Sequence, residues 1–315
     1  MRIGFLYAGQ GSQRVGMGRD FYERYPLFRE TADHAASAVD FDLKTLSFEG
    51  PAEMLSQTQF TQPCMAAFAI GVSHLLDSEG IRPEMACGLS LGEYSALSAA
   101  DVLDEADLIR LVAFRGKVMA EASSGRNVKM AAVLQTDRNV IGDCCREASL
   151  LLKGKNNTAE IANFNCPGQI VISGDAEAID KASELLKERG TRRIMELQVS
   201  GPFHTSLMKS AGDRLREKMS GMKFRDMKIP VVFNATGRPK REEETIPALL
   251  EKQVQSSVYL EDSIRYMGGQ GIDTILEIGP GHALSKFVKK TVPDITVYSI
   301  DTAEDFESTV RAFKG

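Results

Sequence analysis

The sequence predicts an α/β protein with a mostly parallel sheet that is covered by helices on both faces. Five short apolar runs alternate with longer segments of helical periodicity, and the runs span residues 2–7, 85–88, 231–234, 275–278 and 296–300. Continuous apolar runs are typical of strands buried on both faces, and their alternation with helices indicates a parallel sheet. A chain of 315 residues also has room for two units, or for one large unit with an insertion.

Three long helices are expected in the first half of the chain. Residues 18–39 are amphipathic, whereas residues 60–76 are mostly apolar, as expected for a helix buried against the sheet. His74 in this second helix is therefore expected to be a packed core residue. Residues 104–121 carry apolar side chains at helical spacing and form the third predicted helix.

The pattern changes after Gly125. Strand-like and helical segments follow in the order β-α-β-β-α-β, with strands at 130–134, 159–164, 169–173 and 193–199 and helices at 139–152 and 176–189. This is the order of a ferredoxin-like unit, complete in about 70 residues. We therefore expect a ferredoxin-like subdomain at residues 127–197, inserted into a larger domain formed by residues 1–126 and 198–315.

Composition and charge exclude several classes of protein. The net charge of −5 provides no basic field for nucleic acid or for an anionic membrane surface. The apolar run at the N-terminus is too short for a signal peptide, and no segment is long enough to span a bilayer. The five cysteines show no Cys-x-x-Cys spacing, which favours reduced, buried thiols over disulfides or a zinc site. We expect a cytoplasmic protein.

A glycine-rich loop at residues 8–13 directly follows the first predicted strand. It lacks the Gly-Lys-Ser/Thr of a phosphate-binding loop, and Arg14 stands where the dinucleotide fingerprint has its third glycine. A nucleotide site is therefore not expected. The loop remains a set of backbone donors at the carboxyl end of a strand, where open α/β sheets bind their ligands.

The sequence Gly88-Leu89-Ser90-Leu91-Gly92 lies between an apolar run and a small-residue helical segment. Gly-x-Ser-x-Gly in a strand-turn-helix context is typical of a nucleophilic serine, which the sharp turn lifts above the sheet. The N-terminus of the following helix then points free N–H groups toward the group that the serine attacks. The alternative is a glycine-bounded loop in which Ser90 only caps a helix.

Arg115 lies on the apolar stripe of the third predicted helix, three residues from Val112 and four from Leu111 and Met119. A guanidinium on an inward face is costly unless an anion meets it. It either pairs with an internal carboxylate, extends to solvent, or forms a bidentate clamp for the carboxylate of a substrate.

Of the four histidines, His204 is the best candidate for a general base. It lies near the predicted start of a helix, where the positive end of the dipole disfavours the protonated ring. A capping or core role is the alternative. His34 lies in a charged surface helix, and His282 is expected in the first turn of a helix. The turn at residues 163–168 carries asparagines that either face the cleft or serve as ordinary turn residues.

Together these segments resemble the malonyl-CoA:acyl carrier protein transacylase family of type II fatty acid synthesis and the acyltransferase domains of polyketide synthases. The resemblance runs almost end to end. Six motifs carry it, in order: Gly9-Gln10-Gly11-Ser12-Gln13, Gly88-Leu89-Ser90-Leu91-Gly92-Glu93-Tyr94, Arg115-Gly116, Asn163-Phe164-Asn165-Cys166-Pro167-Gly168-Gln169, Gly201-Pro202-Phe203-His204 and Glu277-Ile278-Gly279-Pro280-Gly281.

The resemblance implies an α/β-hydrolase-like core and a malonyl transfer from malonyl-CoA to acyl carrier protein, without a metal or redox cofactor. It implies a site with six groups in stated roles: Ser90 as nucleophile, His204 as base, the N–H groups of Gln10 and Leu91 as oxyanion hole, Arg115 for the malonyl carboxylate, and the main-chain carbonyl of Gln253 to orient the histidine. Asn163 and Phe203 are further substrate-binding candidates, and the bulk of Phe203 resembles the malonyl-selecting form of the family.

Two positions depart from the family pattern. Leu89 replaces the usual histidine before the nucleophile, from which we expect an altered pocket wall with the chemistry retained. Ala8 replaces a common proline, which changes only the stiffness of the first loop. Two other readings stay open: a serine thioesterase or acyl hydrolase, with water as the acceptor, and a non-catalytic scaffold that binds CoA or carrier protein. A polyketide carrier in place of a fatty acid carrier is also open.

Overall fold

The computed structural model describes residues 1–152, 154, 157–197 and 201–315. Its strands are β1 Ile3–Tyr7, β2 Met85–Gly88, β3 Val128–Leu134, β4 Ala159–Cys166, β5 Gln169–Asp175, β6 Arg193–Glu196, β7 Val232–Phe233, β8 Arg238–Pro239, β9 Val258–Tyr259, β10 Thr274–Ile278 and β11 Thr296–Ile300. Its α-helices are α1 Arg19–Arg24, α2 Pro26–Ser37, α3 Leu43–Glu49, α4 Ala52–Leu55, α5 Thr58–Ser78, α6 Gly92–Ala99, α7 Glu105–Ser123, α8 Arg138–Leu151, α9 Ala176–Glu188, α10 Lys209–Ser220, α11 Ile246–Gln255, α12 Leu260–Gly269, α13 Ala283–Thr291 and α14 Ala303–Lys314, with a 3₁₀ helix at Ser206–Met208.

A four-stranded parallel sheet forms the centre of the larger part of the chain, with the order β11-β10-β1-β2. Strands β1, β2 and β10 are almost wholly buried, whereas the edge strand β11 is partly exposed. Val231 forms a parallel bridge to Ala86, so the chain just before β7 runs beside β2. The predicted parallel sheet is confirmed, and its carboxyl edge holds the turn that contains Ser90.

A second sheet has the order β6-β3-β5-β4-β9. Within it, β3 pairs antiparallel with β5 and β6, and β4 pairs antiparallel with β5. Together with helices α8 and α9, these strands form the predicted ferredoxin-like unit, so the predicted fold class is confirmed. Strand β9, from the larger part of the chain, adds in parallel to β4. We propose the division at 126/127 and 197/198; residues 198–200, at the second boundary, lie outside the described residues.

The two faces of the second sheet belong to different cores. On β3, Ala131 and Val133 pack in a small core with helices α8 and α9, whereas Met130 and Ala132 pack in the large core. This alternation follows from the two-residue period of a strand. The ferredoxin-like unit is therefore seated on the larger domain through one face of its sheet.

Several predicted elements differ from the observed ones. The single helix predicted at 18–39 is two helices, because Pro26 begins α2 and Tyr25 before it is extended, with φ −118°. A proline disfavours helical conformation in the residue that precedes it. Helices α3 and α4 were not predicted. Strand β6 ends at Glu196, short of the predicted residue 199, and the last part of that prediction lies outside the described residues.

His74 is not a packed core residue. Its side chain is 34% exposed, and its Nε2 lies 2.7 Å from Oε1 of Glu105. Its Nδ1 lies 2.9 Å from the hydroxyl of Thr31. The hydrogen bond to Glu105 raises the pKa of His74 against the effect of burial. This histidine therefore ties α5 to α2 and α7 through polar contacts. None of the helices in the described ranges has the length and hydropathy required to cross a membrane.

Candidate active site

Ser90 lies in a sharp turn between β2 and α6, as predicted. Its φ is +53°, a conformation that costs a non-glycine residue on the order of 1–3 kcal/mol. A Cβ atom on Gly88 would lie 2.0 Å from the carbonyl carbon of Gly92, and one on Gly92 would lie 2.3 Å from the carbonyl oxygen of Tyr7. Both positions therefore require glycine, because the strand, the turn and the helix approach each other too closely for a side chain.

His204 meets Ser90 from 114 positions further along the chain. Its Nε2 lies 2.8 Å from Oγ of Ser90, and its Nδ1 lies 2.8 Å from the carbonyl oxygen of Gln253. Because a carbonyl only accepts, Nδ1 carries the proton and Nε2 is free to accept one from the serine hydroxyl. His204 also has a positive φ, +61°, and precedes the 3₁₀ helix that leads into α10.

His204 is 4% exposed. Burial and the neighbouring charge of Arg115 lower the pKa of His204 to about 4, against the opposing effect of the Gln253 carbonyl. The ring is therefore neutral at physiological pH, as a general base requires. The carbonyl of Gln253 takes the place that an aspartate holds in a Ser-His-Asp triad.

Among the histidines, which all lie in the described ranges, only His204 contacts Ser90. His282 is the N-cap residue of α13, one position before the first turn in which it was expected, and its side chain makes no capping bond. His34 lies near the end of α2 and carries no bond to the site. His204 therefore remains the predicted base, since it is the histidine whose ring lies within hydrogen-bond distance of Ser90.

The Arg115 side chain is completely buried, with an exposure of 0%. Its Nη2 lies 3.0 Å from Oγ of Ser90 and 3.0 Å from Oε1 of Gln253, and its Nη1 lies 2.8 Å from Oε1 of Gln62. Its carbon Cζ lies 5.3 Å from the ring centroid of Tyr94. Burial lowers the pKa of Arg115, but arginine keeps its charge in proteins.

Neither structural alternative for Arg115 is realised in the described part of the chain. The guanidinium does not reach solvent and forms no ion pair with a carboxylate; its partners are neutral oxygens. Its Nε has no hydrogen-bond partner. A buried cation whose partners are neutral oxygens, and which has one N–H without a partner, is suited to receive an anionic group.

The loop after β1 packs directly against the Ser90 turn. A Cβ atom on Gly9 would lie 2.5 Å from the carbonyl oxygen of Leu89. Next to these residues, the backbone N–H groups of Gln10 and Leu91 donate to no acceptor within the described ranges. Leu91 is the N-cap of α6, so its amide lies at the positive end of that helix. These two amides remain the predicted oxyanion donors.

The other two substrate-binding candidates lie in different surroundings. Phe203 directly precedes the base and is 7% exposed. Asn163 lies inside β4, not in the turn to which it was assigned, because β4 continues to Cys166 and only Pro167 and Gly168 form the turn. Its side chain makes no hydrogen bond with Ser90, His204 or Arg115. The roles of Phe203 and Asn163 remain predictions, as does the altered pocket wall at Leu89, which is partly buried.

Comparison with known proteins agrees with this geometry. The acyl transferase domain family matches residues 4–309 of the chain. The malonyl CoA-acyl carrier protein transacylase of Bacillus subtilis (strain 168) is 38% identical over 313 residues, which cover 99% of this chain and 98% of that protein. This chain belongs to the acyl transferase family. The resemblance inferred from the motifs is thereby confirmed.

Solved structures of this acyl transferase family have the same fold. The MCAT of Streptococcus pneumoniae matches with a TM-score of 0.93 and 41% identity over 99% of this chain and 100% of that one. A malonyl-transacylase solved in complex with its type II PKS acyl-carrier protein matches with a TM-score of 0.94 and 32% identity, over 99% of this chain and 100% of that one. The likeness therefore extends over the whole acyl transferase fold.

Three polar residues at the acyl transferase site were not predicted. Gln62 accepts from Arg115. Asn234 accepts from the Ser90 N–H through Oδ1, at 2.6 Å, and donates to the Gly88 carbonyl through Nδ2, at 2.7 Å. The Asn234 N–H in turn donates to Oε2 of Glu93, which is 0% exposed. The position of Asn234 at the end of the strand-like run 231–234 was a signal that could have identified it, because polar residues at strand ends meet at one edge of the sheet.

Proposed function

We propose that this acyltransferase moves the malonyl group from malonyl-CoA to the phosphopantetheine thiol of an acyl carrier protein in fatty acid biosynthesis, through a malonyl ester on Ser90. The observation that carries this proposal is the position of one hydroxyl between a neutral base and a buried cation. Oγ of Ser90 lies 2.8 Å from Nε2 of His204 and 3.0 Å from Nη2 of Arg115.

In the first half of the reaction, Oγ of Ser90 attacks the thioester carbonyl while His204 takes the hydroxyl proton. The N–H groups of Gln10 and Leu91 stabilise the negative oxygen of the tetrahedral intermediate, each by on the order of 3 kcal/mol. The intermediate collapses, the carbon–sulfur bond breaks, and the CoA sulfur leaves with the proton from His204. General base catalysis of this kind contributes about 10² to 10⁴ in rate.

In the second half, the thiol of the carrier enters the same site and the steps run in reverse. His204 takes the thiol proton, the sulfur attacks the ester carbonyl, and Ser90 regains its proton as the new thioester forms. Because the carbonyl of Gln253 replaces a carboxylate behind His204, the imidazolium is less stabilised than in a triad. His204 therefore gives the proton to the leaving group within each half-reaction.

Arg115 supports the choice of a dicarboxylic acyl group. The terminal carboxylate of malonyl provides the anion that the buried guanidinium lacks, whereas an acetyl group leaves the cation unpaired, at a cost on the order of 3 kcal/mol. Phe203 is placed beside the base, where its bulk is expected to crowd the α-methyl group of methylmalonyl. Asn163 is retained as a weaker candidate for contact with substrate.

These side chains require no further group for the chemistry described, and we propose that no metal or redox cofactor takes part. We also propose the cytoplasm as the compartment. The five cysteines are unpaired and buried, as the sequence predicted, which suits a reducing environment.

Intact-protein mass spectrometry after exposure to malonyl-CoA or acetyl-CoA tests the proposal. We expect wild type to gain one malonyl group, and Arg115→Ala to lose malonyl esterification by roughly 10²-fold more than it loses acetylation. Arg110→Ala is the matched control, because Arg110 lies on the same helix but pairs at the surface with Asp107. Wild type that accepts acetyl as readily as malonyl would contradict the role of Arg115.

The acceptor is tested on the same ester. We expect the malonyl-enzyme to persist in buffer and to lose its malonyl group when carrier protein with a phosphopantetheine thiol is added. Rapid loss to water would instead identify a hydrolase. Parallel addition of fatty acid and polyketide carriers, each at equal concentration, then compares the two acceptors, and we expect the fatty acid carrier to react faster.

A further inference from the structure

The side chain of Gln253 contacts the reacting groups in a way that its main-chain carbonyl does not explain. We propose that the Gln253 side-chain amide is a positioning group that orients the peptide unit between Ser90 and Leu91, and with it the Leu91 N–H that receives the oxyanion. This inference rests on the proposed function, since it assigns that N–H its catalytic use.

The contacts of the amide are well defined. Its Nε2 lies 2.8 Å from the carbonyl oxygen of Ser90, and its Oε1 lies 3.0 Å from Nη2 of Arg115. The residue is 0% exposed, so water does not compete for either bond. The main-chain carbonyl of the same residue accepts from Nδ1 of His204. One residue of α11 therefore contacts the nucleophile, the base and the cation.

Arg115 determines which way the amide points. An amide has a donating and an accepting end of nearly the same shape, but a guanidinium has only donors. The end that faces Arg115 must therefore be the oxygen. The nitrogen then faces the Ser90 carbonyl, where it donates, and the reversed amide would set donor against donor at one end and acceptor against acceptor at the other.

Planarity of the peptide bond carries this orientation to Leu91. The carbonyl of Ser90 and the N–H of Leu91 belong to one trans peptide unit, in which the two bonds point in opposite directions. A bond that holds the carbonyl toward α11 therefore directs the Leu91 N–H to the other side, toward the substrate. The peptide unit needs this restraint because Ser90 has a strained φ of +53°. Apart from Gln253, the Ser90 carbonyl has one other donor in the described chain, the Glu93 N–H at 3.1 Å.

The consequence is a coupling between selectivity and catalysis. The cation proposed to bind the malonyl carboxylate fixes the amide, and the amide fixes an oxyanion donor. The peptide orientation matters for every acyl group, whereas the charge of Arg115 acts directly only on acyl groups with a carboxylate. The two effects can therefore be separated by the choice of substrate.

The test compares Gln253→Met and Gln253→Glu with wild type. Methionine removes both bonds but keeps the length of the side chain, and glutamate keeps the acceptor for Arg115 but replaces the donor with a second oxygen that repels the Ser90 carbonyl. Gln255→Met is the matched control, because Gln255 lies two residues away on α11 and contacts none of these groups. Single-turnover esterification is measured with malonyl-CoA and with acetyl-CoA.

We expect both variants to slow acetylation by roughly 10- to 100-fold, as misdirection of one oxyanion donor predicts, and the control to stay within about twofold of wild type. In the malonyl-enzyme formed from ¹³C-labelled malonyl-CoA, the ester carbonyl stretch should move to higher wavenumber in Gln253→Met, because the carbonyl loses a hydrogen bond. In Gln253→Met, the pH dependence of esterification should keep its wild-type midpoint, because the main-chain bond from residue 253 to His204 remains.

Acetylation at the wild-type rate, with an unmoved carbonyl band, would overturn the inference and leave the proposed function intact. Slower malonylation with unchanged acetylation would overturn it as well, since the amide would then act only on Arg115. If methionine disturbs folding, Gln253→Glu decides the question through its acetylation rate, because it keeps the shape of the side chain. Wild type that takes up no malonyl group would instead overturn the proposed function itself.

Discussion

Two turns leave the same edge of the parallel sheet, and they differ in where they place strain. The turn after β2 contains Ser90 with φ +53°, whereas the turn after β10 places its positive φ angles on Gly279 and Gly281, at +142° and +81°. Glycine adopts such angles at little cost, and serine does not. The second turn is therefore relaxed, and the first stores strain at the residue that we propose as the nucleophile.

A buried carboxyl group lies near each turn, and the two groups differ in their hydrogen-bond partners. Glu277 in β10 accepts from Leu284 N–H at 2.9 Å, Ser285 N–H at 3.0 Å and the Ser299 hydroxyl at 2.7 Å, and also from the Ser285 hydroxyl. Glu93 accepts from the Asn234 N–H, but its Oε1 has no partner.

The surroundings of Glu93 also change its pKa. Burial raises the pKa of Glu93 to about 8, against the opposing effects of the Asn234 N–H and the charge of Arg115. Glu277 instead lies at the N-terminus of α13, where two backbone N–H groups donate to its carboxyl oxygens. The comparison teaches that the carboxyl group beside the relaxed turn has a donor for each oxygen, whereas the one beside the Ser90 turn has an oxygen without a partner.

The largest contrast is expected between removal of the Ser90 hydroxyl, in the first turn, and removal of the Ser285 hydroxyl, in the helix that follows the second turn. Ser90→Ala should lower malonyl transfer by at least about 10⁴-fold, because the nucleophile is lost. Ser285→Ala should keep transfer and lower the free energy of unfolding by about 1 kcal/mol, because a hydrogen bond to Glu277 is lost. Intact mass spectrometry and urea denaturation measure the two effects. An esterified Ser90→Ala protein would refute the assignment of the nucleophile.

Relaxing the strained turn is the next test. Asn234→Ala leaves the Ser90 N–H and the Gly88 carbonyl buried without partners, which should cost about 1–3 kcal/mol of stability. The same change should slow esterification by roughly 10²-fold, because the serine hydroxyl moves relative to His204. The exposed Asn139, replaced by alanine, is the control and should change neither quantity. Stability loss without slower esterification would mean that Asn234 has no positioning role.

A substitution of Glu277, whose carboxyl group has four hydrogen-bond donors, should change stability and leave esterification of Ser90 intact. Glu277→Gln replaces a carboxyl group that accepts four hydrogen bonds with an amide that donates from one end, so unfolding should require about 1–3 kcal/mol less free energy. Esterification of Ser90, measured well below the melting temperature, should stay within about twofold of wild type. A strong fall in esterification would show that the two turns are coupled through β1, which lies between their strands.

A distinctive pH dependence is expected from Glu93→Gln. A carboxyl group whose folded pKa of about 8 lies above its ordinary value stabilises the fold below the ordinary value of about 4.3. That contribution is lost as the pH rises through 8. Relative to wild type, the variant should gain stability between about pH 5 and 8. Thermal melts across this range measure it, and a difference independent of pH would mean that Glu93 is ionised throughout.

Much of this molecule could be predicted because local patterns carried the information. The apolar runs that became β1, β2 and β10 are continuous because both faces of those strands are buried, and the β-α-β-β-α-β order of the inserted unit follows from patterns of period 2 and 3.6. Ser90 was found through its glycines, which the close approach of strand and helix requires. Tyr25 shows the limit of this method, since a helix pattern continued through it while Pro26 began a new helix.

The contacts around Ser90 could not be predicted from local sequence patterns. Asn234 lies 144 positions away from the serine, and Gln253 lies 163 positions away. No periodicity links such residues, and only the packing of the chain before β7 beside β2, and of α11 beside the turn, brings them together. The motif resemblance supplied Gln253 as a main-chain carbonyl but said nothing of its side chain.

By itself, the sequence predicted most strands and helices and singled out Ser90 as the candidate nucleophile, because these depend on the pattern of apolar residues and on glycine at positions without room for a side chain. The tertiary structure alone decided that Arg115 is buried without an ion pair, that His204 is neutral, and that Asn234 and Gln253 bond the N–H and the carbonyl of Ser90. The physical reason is that burial, charge neighbourhood and hydrogen-bond direction are properties of distant segments brought into contact, and these decide how a serine reacts.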